Sequence, residues 1–196
     1  MAISKKTIER WHRSDIILLG GSAGSFKLLL RMIKSFLPGM DKTIVIIIHR
    51  QKNFHSDMVK LFAENSKVTV REICDKDPIK KNMIYIAPPN YHTLIEKEKH
   101  FSLDVSDSVW YSKPSIDVTF ESALDVYADQ CTAILLSGAN KDGAEGLLKL
   151  RESGALTIVQ HPNDAEMPEM PQAAIAINAA EYILTTEELL ELLCSP

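Results

Sequence analysis

The chain reads as an α/β protein whose strands lie parallel in one sheet and are joined by helical crossovers. Two observations predict this. Short β-branched runs alternate with helical patterns along most of the 196 residues. The strongest run, Thr43 to Ile48, is apolar throughout, as a strand covered on both faces must be. At 45% apolar content the chain can bury one sizeable core, with no repeat, linker or low-complexity stretch to divide it.

The first strand runs from Asp15 to Leu19, and residues 1–14 read as an N-terminal extension. Phe26 to Leu37 places Leu29, Leu30, Ile33 and Phe36 or Leu37 at helical spacing until Leu37-Pro38-Gly39 stops it. Thr43 to Ile48 is the second strand. Ser56 is placed to cap a helix carrying Val59, Leu61 and Phe62, and Val68 to Ile73 is a third strand. The period then changes: Met83 to Ala87, Tyr91 to Glu96 and Phe101 to Val105 are strand-like runs on short connectors, with Glu96-Lys97-Glu98-Lys99 as a hairpin tip. Ser115 caps a helix through about Tyr127, with Asp117 favourable in its first turn. Thr132 to Leu136 is a strand, Gly138 to Gly143 a turn, and Ala144 to Ser153 a helix closed by Gly154. Leu156 to Val159 is the next strand. After a loop rich in proline and acid (160–170), short helices flank a small strand at Tyr182 to Leu184.

Composition narrows the function classes. A net charge of -4 with scattered lysines lacks the basic footprint of a nucleic-acid binder. Cys74, Cys131 and Cys194 are odd in number and lack CxxC spacing, so neither a disulfide nor a zinc site is expected. The longest apolar run falls far short of the ~20 residues of a membrane helix, and Met1 to Lys6 is followed by no apolar h-region. The expectation is a cytoplasmic protein without membrane insertion, metal or cofactor.

In an open α/β sheet, functional groups gather where loops leave the carboxyl ends of the strands. The turn Gly20-Gly21-Ser22-Ala23-Gly24 follows the first strand, His49 ends the second, and Asp142 lies after the strand from Thr132 to Leu136. A serine hydroxyl is a poor nucleophile unless an imidazole takes its proton and a carboxylate orients that imidazole. Gly20-x-Ser22-x-Gly24 fits a nucleophile elbow, but the turn alone fits an N-cap or an anion cradle equally well. Its glycines have neither dinucleotide-fingerprint nor P-loop spacing. Each partner also has a bland reading: His49 as a hydrogen-bonded strand-end residue, Asp142 as the N-cap of the helix it precedes. Competing bases are His161 and His92, and competing acids are Asp75, Asp77 and Asp164.

With these residues assembled, the chain resembles the catalytic domain of the chemotaxis protein-glutamate methylesterases, the CheB family, from about Asp15 to Leu193. Five ordered blocks carry the likeness: Gly20 to Gly24; Ile46-Ile47-Ile48-His49; Ile84 to His92, similar to the family's "APxxxH" block; Lys113 to Phe120, similar to "RPSVDxLF"; and Leu136 to Ala144, similar to "TGMGxDGA". The resemblance implies a three-layer α/β/α fold with a mainly parallel, doubly wound sheet and a small antiparallel hairpin, and a catalytic domain over 15–196. It implies that Ser22 attacks a methyl ester on a receptor glutamate, His49 relays the proton and Asp142 orients His49, with deamidation of certain glutamines as a second activity. Backbone N–H groups near Ala23 and Ala139 would be the oxyanion donors. The implied partner is a methylated chemoreceptor or related signalling protein.

Departures accompany the likeness. Ala23 replaces a threonine and Ala139 a methionine, Ser25 replaces a glycine, and His49-Arg50-Gln51-Lys52 stands for "QHxP". The receiver domain that usually precedes this unit is not seen, so control is expected from a separate regulatory protein. Ala23, Ala139 and that missing domain also suit a second reading: a receptor- or kinase-docking module of the same fold with weak catalysis or none.

Overall fold

The computed structural model describes residues 3–50 and 57–194. Strands β1 (Ile16–Gly21), β2 (Thr43–Ile48), β3 (Thr69–Glu72), β4 (Met83–Ile86), β7 (Cys131–Leu135), β8 (Leu156–Gln160) and β9 (Tyr182–Leu184) form one sheet. Their order is β3-β4-β2-β1-β7-β8-β9, and every neighbouring pair is parallel. Strands β5 (His92–Ile95) and β6 (Phe101–Asp104) stand apart as an antiparallel hairpin whose tip is the predicted Glu96 to Lys99.

Alternation along the central strands assigns their side chains to two cores. Ile16, Leu18, Val45, Ile47, Ala133 and Leu135 face one side, packed by α4 (Ile116–Ser122), α5 (Leu124–Tyr127), α6 (Ala144–Glu152), α7 (Glu169–Ala176) and the hairpin. Ile17, Leu19, Ile44, Ile46, Ile48 and Ile134 face the other, covered by α1 (Lys5–Arg13), α2 (Phe26–Ser35), α3 (Asp57–Asn65) and α8 (Thr186–Leu193). Both faces of β1 and β2 are therefore dry, which is why their sequences are apolar without alternation. This is the three-layer α/β/α arrangement expected.

Two elements differ from expectation. Residues 5–13, where no helix is predicted, form α1, capped by the Ser4 hydroxyl and seated through the buried Trp11. Arg10 pairs with Glu181 to hold the helix to the far end of the sheet. The helix predicted from Ser115 to about Tyr127 is broken at Ala123 into α4 and α5. There Ser122 Oγ donates back to Thr119 O at 2.8 Å and accepts from Ile95 N at 3.0 Å. A serine bonding back to its own turn bends a helix. The Ser56 cap lies outside the described residues.

The winding fixes where a site can form. From β1 the chain passes to β2 on one side and only later places β7 on the other, so the carboxyl ends of β1, β2 and β7 meet at one crevice.

Candidate active site

The loop after β1 presents Ser22 without using it as a cap. The residue preceding α2 is Ser25, whose hydroxyl donates to Ser22 O at 2.7 Å. Ser22 N donates to Ser137 O at 2.9 Å, tying the loop to the end of β7, and Ser137 Oγ donates to Ala23 O at 2.8 Å. Gly24 has φ +79°, which a side chain disfavours, and a Cβ there would come within 2.6 Å of Ser137 Oγ. The turn is thus pinned by its backbone, while no hydrogen bond engages Ser22 Oγ among the described residues. The Ala23 and Ala139 N–H groups are likewise unengaged among the described residues.

His49 directly follows β2, its N–H donating to Gly21 O across the parallel pair. Its ring spans two environments. Nε2 lies 2.7 Å from Asp142 Oδ2, with Asp142 fully buried. Asp142 accepts three further hydrogen bonds: Ser115 Oγ at 2.8 Å, Ile116 N at 2.7 Å and Asp117 N at 3.0 Å. Burial pushes this carboxyl up, but the His49 ring and the amides of Asp117 and Ile116 outweigh it and hold Asp142 below the ordinary carboxylate range. An ionised carboxylate only accepts, so Nε2 carries a proton, and in the neutral ring it is Nδ1 that holds the lone pair.

The amides that hold Asp142 belong to the first turn of α4, not to α6, the helix it precedes. The residue before α6 is Gly143, at φ +92°, and a Cβ there would meet Ile116 and Leu135 side chains at 2.7 Å. Glycine lets the start of α4 sit against the start of α6, close enough for a carboxylate to cross. The exchange is reciprocal. Asp117, inside α4, reaches over α6, accepting from Gly146 N at 2.7 Å, and also accepts from Trp110 Nε1 at 3.1 Å. Burial dominates at Asp117 and, with the neighbouring Asp142 charge, raises it to about 6.

The other face of His49 holds a residue that strand-end reasoning does not reach. Ser112 Oγ lies 3.0 Å from Nδ1, and no hydrogen bond joins Ser22 to the ring. Both serines nonetheless line one cavity of about 470 Å³ with Ala23, His49, Arg50 and Tyr111. A larger cavity, about 730 Å³, adjoins Ser22 and His49 on the side of Phe26, Met58 and Leu61. The only sequence signal for Ser112 is its place just before the Lys113 to Phe120 block.

The competing candidates have structural duties. His92 is buried; it bonds Asp107 O through Nε2 and accepts from Ser115 N at Nδ1, which fixes the residue that supports Asp142. His161 accepts from Asn163 N within its own turn. Asp75, Asp77 and Asp164 accept from the Leu103, Cys74 and Thr186 amides respectively. Among the described residues no group of three or more His, Cys, Asp or Glu side chains could hold a metal, and no helix is long and apolar enough to cross a membrane.

Comparison with known proteins places the chain as a whole. A family profile described as CheB methylesterase matches residues 17–193. A Leptospira interrogans protein, provisionally named protein-glutamate methylesterase/protein-glutamine glutaminase, is 38% identical over 178 residues, covering 91% of this chain and 92% of its own. Protein-glutamate methylesterase/protein-glutamine glutaminase 3 of Pseudomonas aeruginosa is 32% identical over 177 residues, covering 90% of this chain and 53% of its own. The crystal structure of the Thermotoga maritima CheB methylesterase catalytic domain superposes with a TM-score of 0.84 at 27% identity, covering 92% of this chain and 97% of that one. The chain belongs to the CheB methylesterase family.

Proposed function

We propose that this member of the CheB methylesterase family hydrolyses methyl esters of glutamate side chains on a methylated chemoreceptor or related signalling protein, and deamidates certain glutamines there. Ser22 is the nucleophile, His49 the base and Asp142 its orienting acid. The observation that carries this reading is the His49 Nε2 to Asp142 bond at 2.7 Å, which leaves Nδ1 as the basic nitrogen of a neutral ring whose cavity Ser22 also lines. Substrate binding tightens catalytic hydrogen bonds that stand open in the free enzyme, so the unbonded Ser22 is compatible with the role.

In this mechanism Ser22 Oγ bonds to the ester carbonyl carbon as its proton passes to Nδ1. The Ala23 and Ala139 amides, which have no internal partner among the described residues, receive the oxyanion. The same proton leaves with methanol, and water, activated by His49, hydrolyses the acyl-enzyme to a carboxylate. The catalytic unit spans 15–196, with 1–14 as its extension. The protein works in the cytoplasm.

One observation favours the second reading, a docking module with weak catalysis: Nδ1 is engaged by Ser112 and not by Ser22. Methanol release from a methylated receptor separates the two. The enzyme reading expects turnover that Ser22→Ala abolishes; equal rates would remove Ser22 from the mechanism, and receptor binding without turnover would favour the module.

A further inference from the structure

We infer that Ser112 is a latch on the catalytic base: its hydroxyl occupies His49 Nδ1 in the resting protein and must yield that nitrogen before Ser22 can be deprotonated. This rests on the Ser22 reading above and adds a second hydroxyl to it. Nε2 is committed to Asp142, so the neutral ring has one basic position left. Its single lone pair takes one donor. Ser112 holds that position at 3.0 Å while Ser22 Oγ has no partner among the described residues, so the two serines exclude each other at the base.

The surroundings of Ser112 suit a group that yields. It closes a short loop through paired bonds with Val109, and the loop tip, Trp110-Tyr111, has φ of 48° and 60°. Left-handed backbone at two bulky residues is unfavourable unless neighbours hold it. Trp110 is held, by Asp117 at its indole nitrogen and by the Lys141 ammonium 4.2 Å from its ring centre. Tyr111 is fully exposed and lines the same cavity as Ser22 and His49. A ligand entering that cavity meets Tyr111 and Ser112 as it approaches Ser22. Arrival of substrate and release of the base are thereby one event, and an empty site keeps Ser22 unactivated.

The latch is positioning, so its test reads Ser22 directly. A small alkyl fluorophosphonate, which bonds the attacking oxygen to phosphorus and expels fluoride, is reacted with the full chain, and the label is located by peptide mapping. Ser112→Ala is expected to label at Ser22 about two- to tenfold faster than wild type, the span that one net hydrogen bond covers; Ser112→Thr, which keeps a hydroxyl, is expected to return toward the wild-type rate. Equal or slower labelling in Ser112→Ala, with label still lost in Ser22→Ala, overturns the latch and leaves the Ser22 reading standing. Label that survives Ser22→Ala and maps to Ser112 overturns both. A second measurement needs no labelling: the ¹⁵N spectrum of His49 is expected to show an unprotonated Nδ1 whose signal moves when Ser112 becomes alanine. An unmoved signal overturns the latch.

Discussion

The two sides of the His49 ring are built on opposite principles. On the Nε2 side everything is saturated: Asp142 is fully buried, accepts from four donors and sits where two helix starts meet. At Nδ1 the ring meets a cavity bordered by two serines and an exposed tyrosine, and among the described residues the only hydrogen bond to that nitrogen comes from a loop. The difference teaches where rigidity is needed. A charge that orients the base must be fixed before reaction, because reorganising it during the step costs rate. On the proposed function the reacting side admits a protein side chain, and so keeps groups that can change partners.

Substitutions on each side should break this contrast in order of size. Ser22→Ala removes the nucleophile and is expected to lower methanol release by about 10⁴-fold or more, with unchanged thermal unfolding. Asp142→Asn should follow, at about 10³- to 10⁴-fold in kcat by the same assay. Unlike the first it should also cost stability, because whichever way the amide turns, its NH₂ faces two of the four donors. Loss of activity without loss of stability would show that the Nε2 side is less saturated than its geometry states.

Asp117 gives a pH signature. Its native carboxyl is raised to about 6 from an ordinary 3.8, so the folded protein holds that proton more tightly than the unfolded chain. Well below pH 3.8 both states are protonated and nothing is lost. As pH rises toward 6 the unfolded chain ionises first, and stability should fall by on the order of 3 kcal/mol, then level off. Asp142 runs the other way: its depressed pKa stabilises the fold above the ordinary carboxylate value and fails only as pH falls through the lowered one. Urea unfolding from pH 4 to 7 should show the Asp117 decline in wild type and its loss in Asp117→Asn; parallel curves would refute the assignment. The smallest effect is expected of Ser115→Ala, which removes one donor to Asp142 and the side-chain cap of α4, at about 1–2 kcal/mol by the same measurement.

Much of the fold was legible because its strands are covered on both faces. Thr43–Ile48 and Tyr182–Leu184 match their predicted bounds. Helix α1 was not legible, since among its side chains only Thr7 and Trp11 are buried and, Ile8 apart, the rest is charged or basic. The break at Ala123 depends on Ser122 bonding to both Thr119 and the hairpin, a partner no local window contains. Of the site, the three strand-end residues could be chosen from spacing, and Ser115 was readable as a cap, but not as a donor to Asp142. Ser112 was invisible, because a loop serine carries no periodicity and no spacing rule.

By itself the sequence determined the parallel sheet, the family, and which side chains stand at the ends of β1, β2 and β7, since burial and turn chemistry are written locally in residue type. Only the tertiary structure decided which nitrogen of His49 faces Asp142, that Asp142 rests on α4 while Asp117 crosses to α6, and that Ser112 rather than Ser22 lies against Nδ1. Those follow from helix starts packed together by glycine and from a loop folded over the crevice, and such distances between remote segments are fixed by packing, not by sequence spacing.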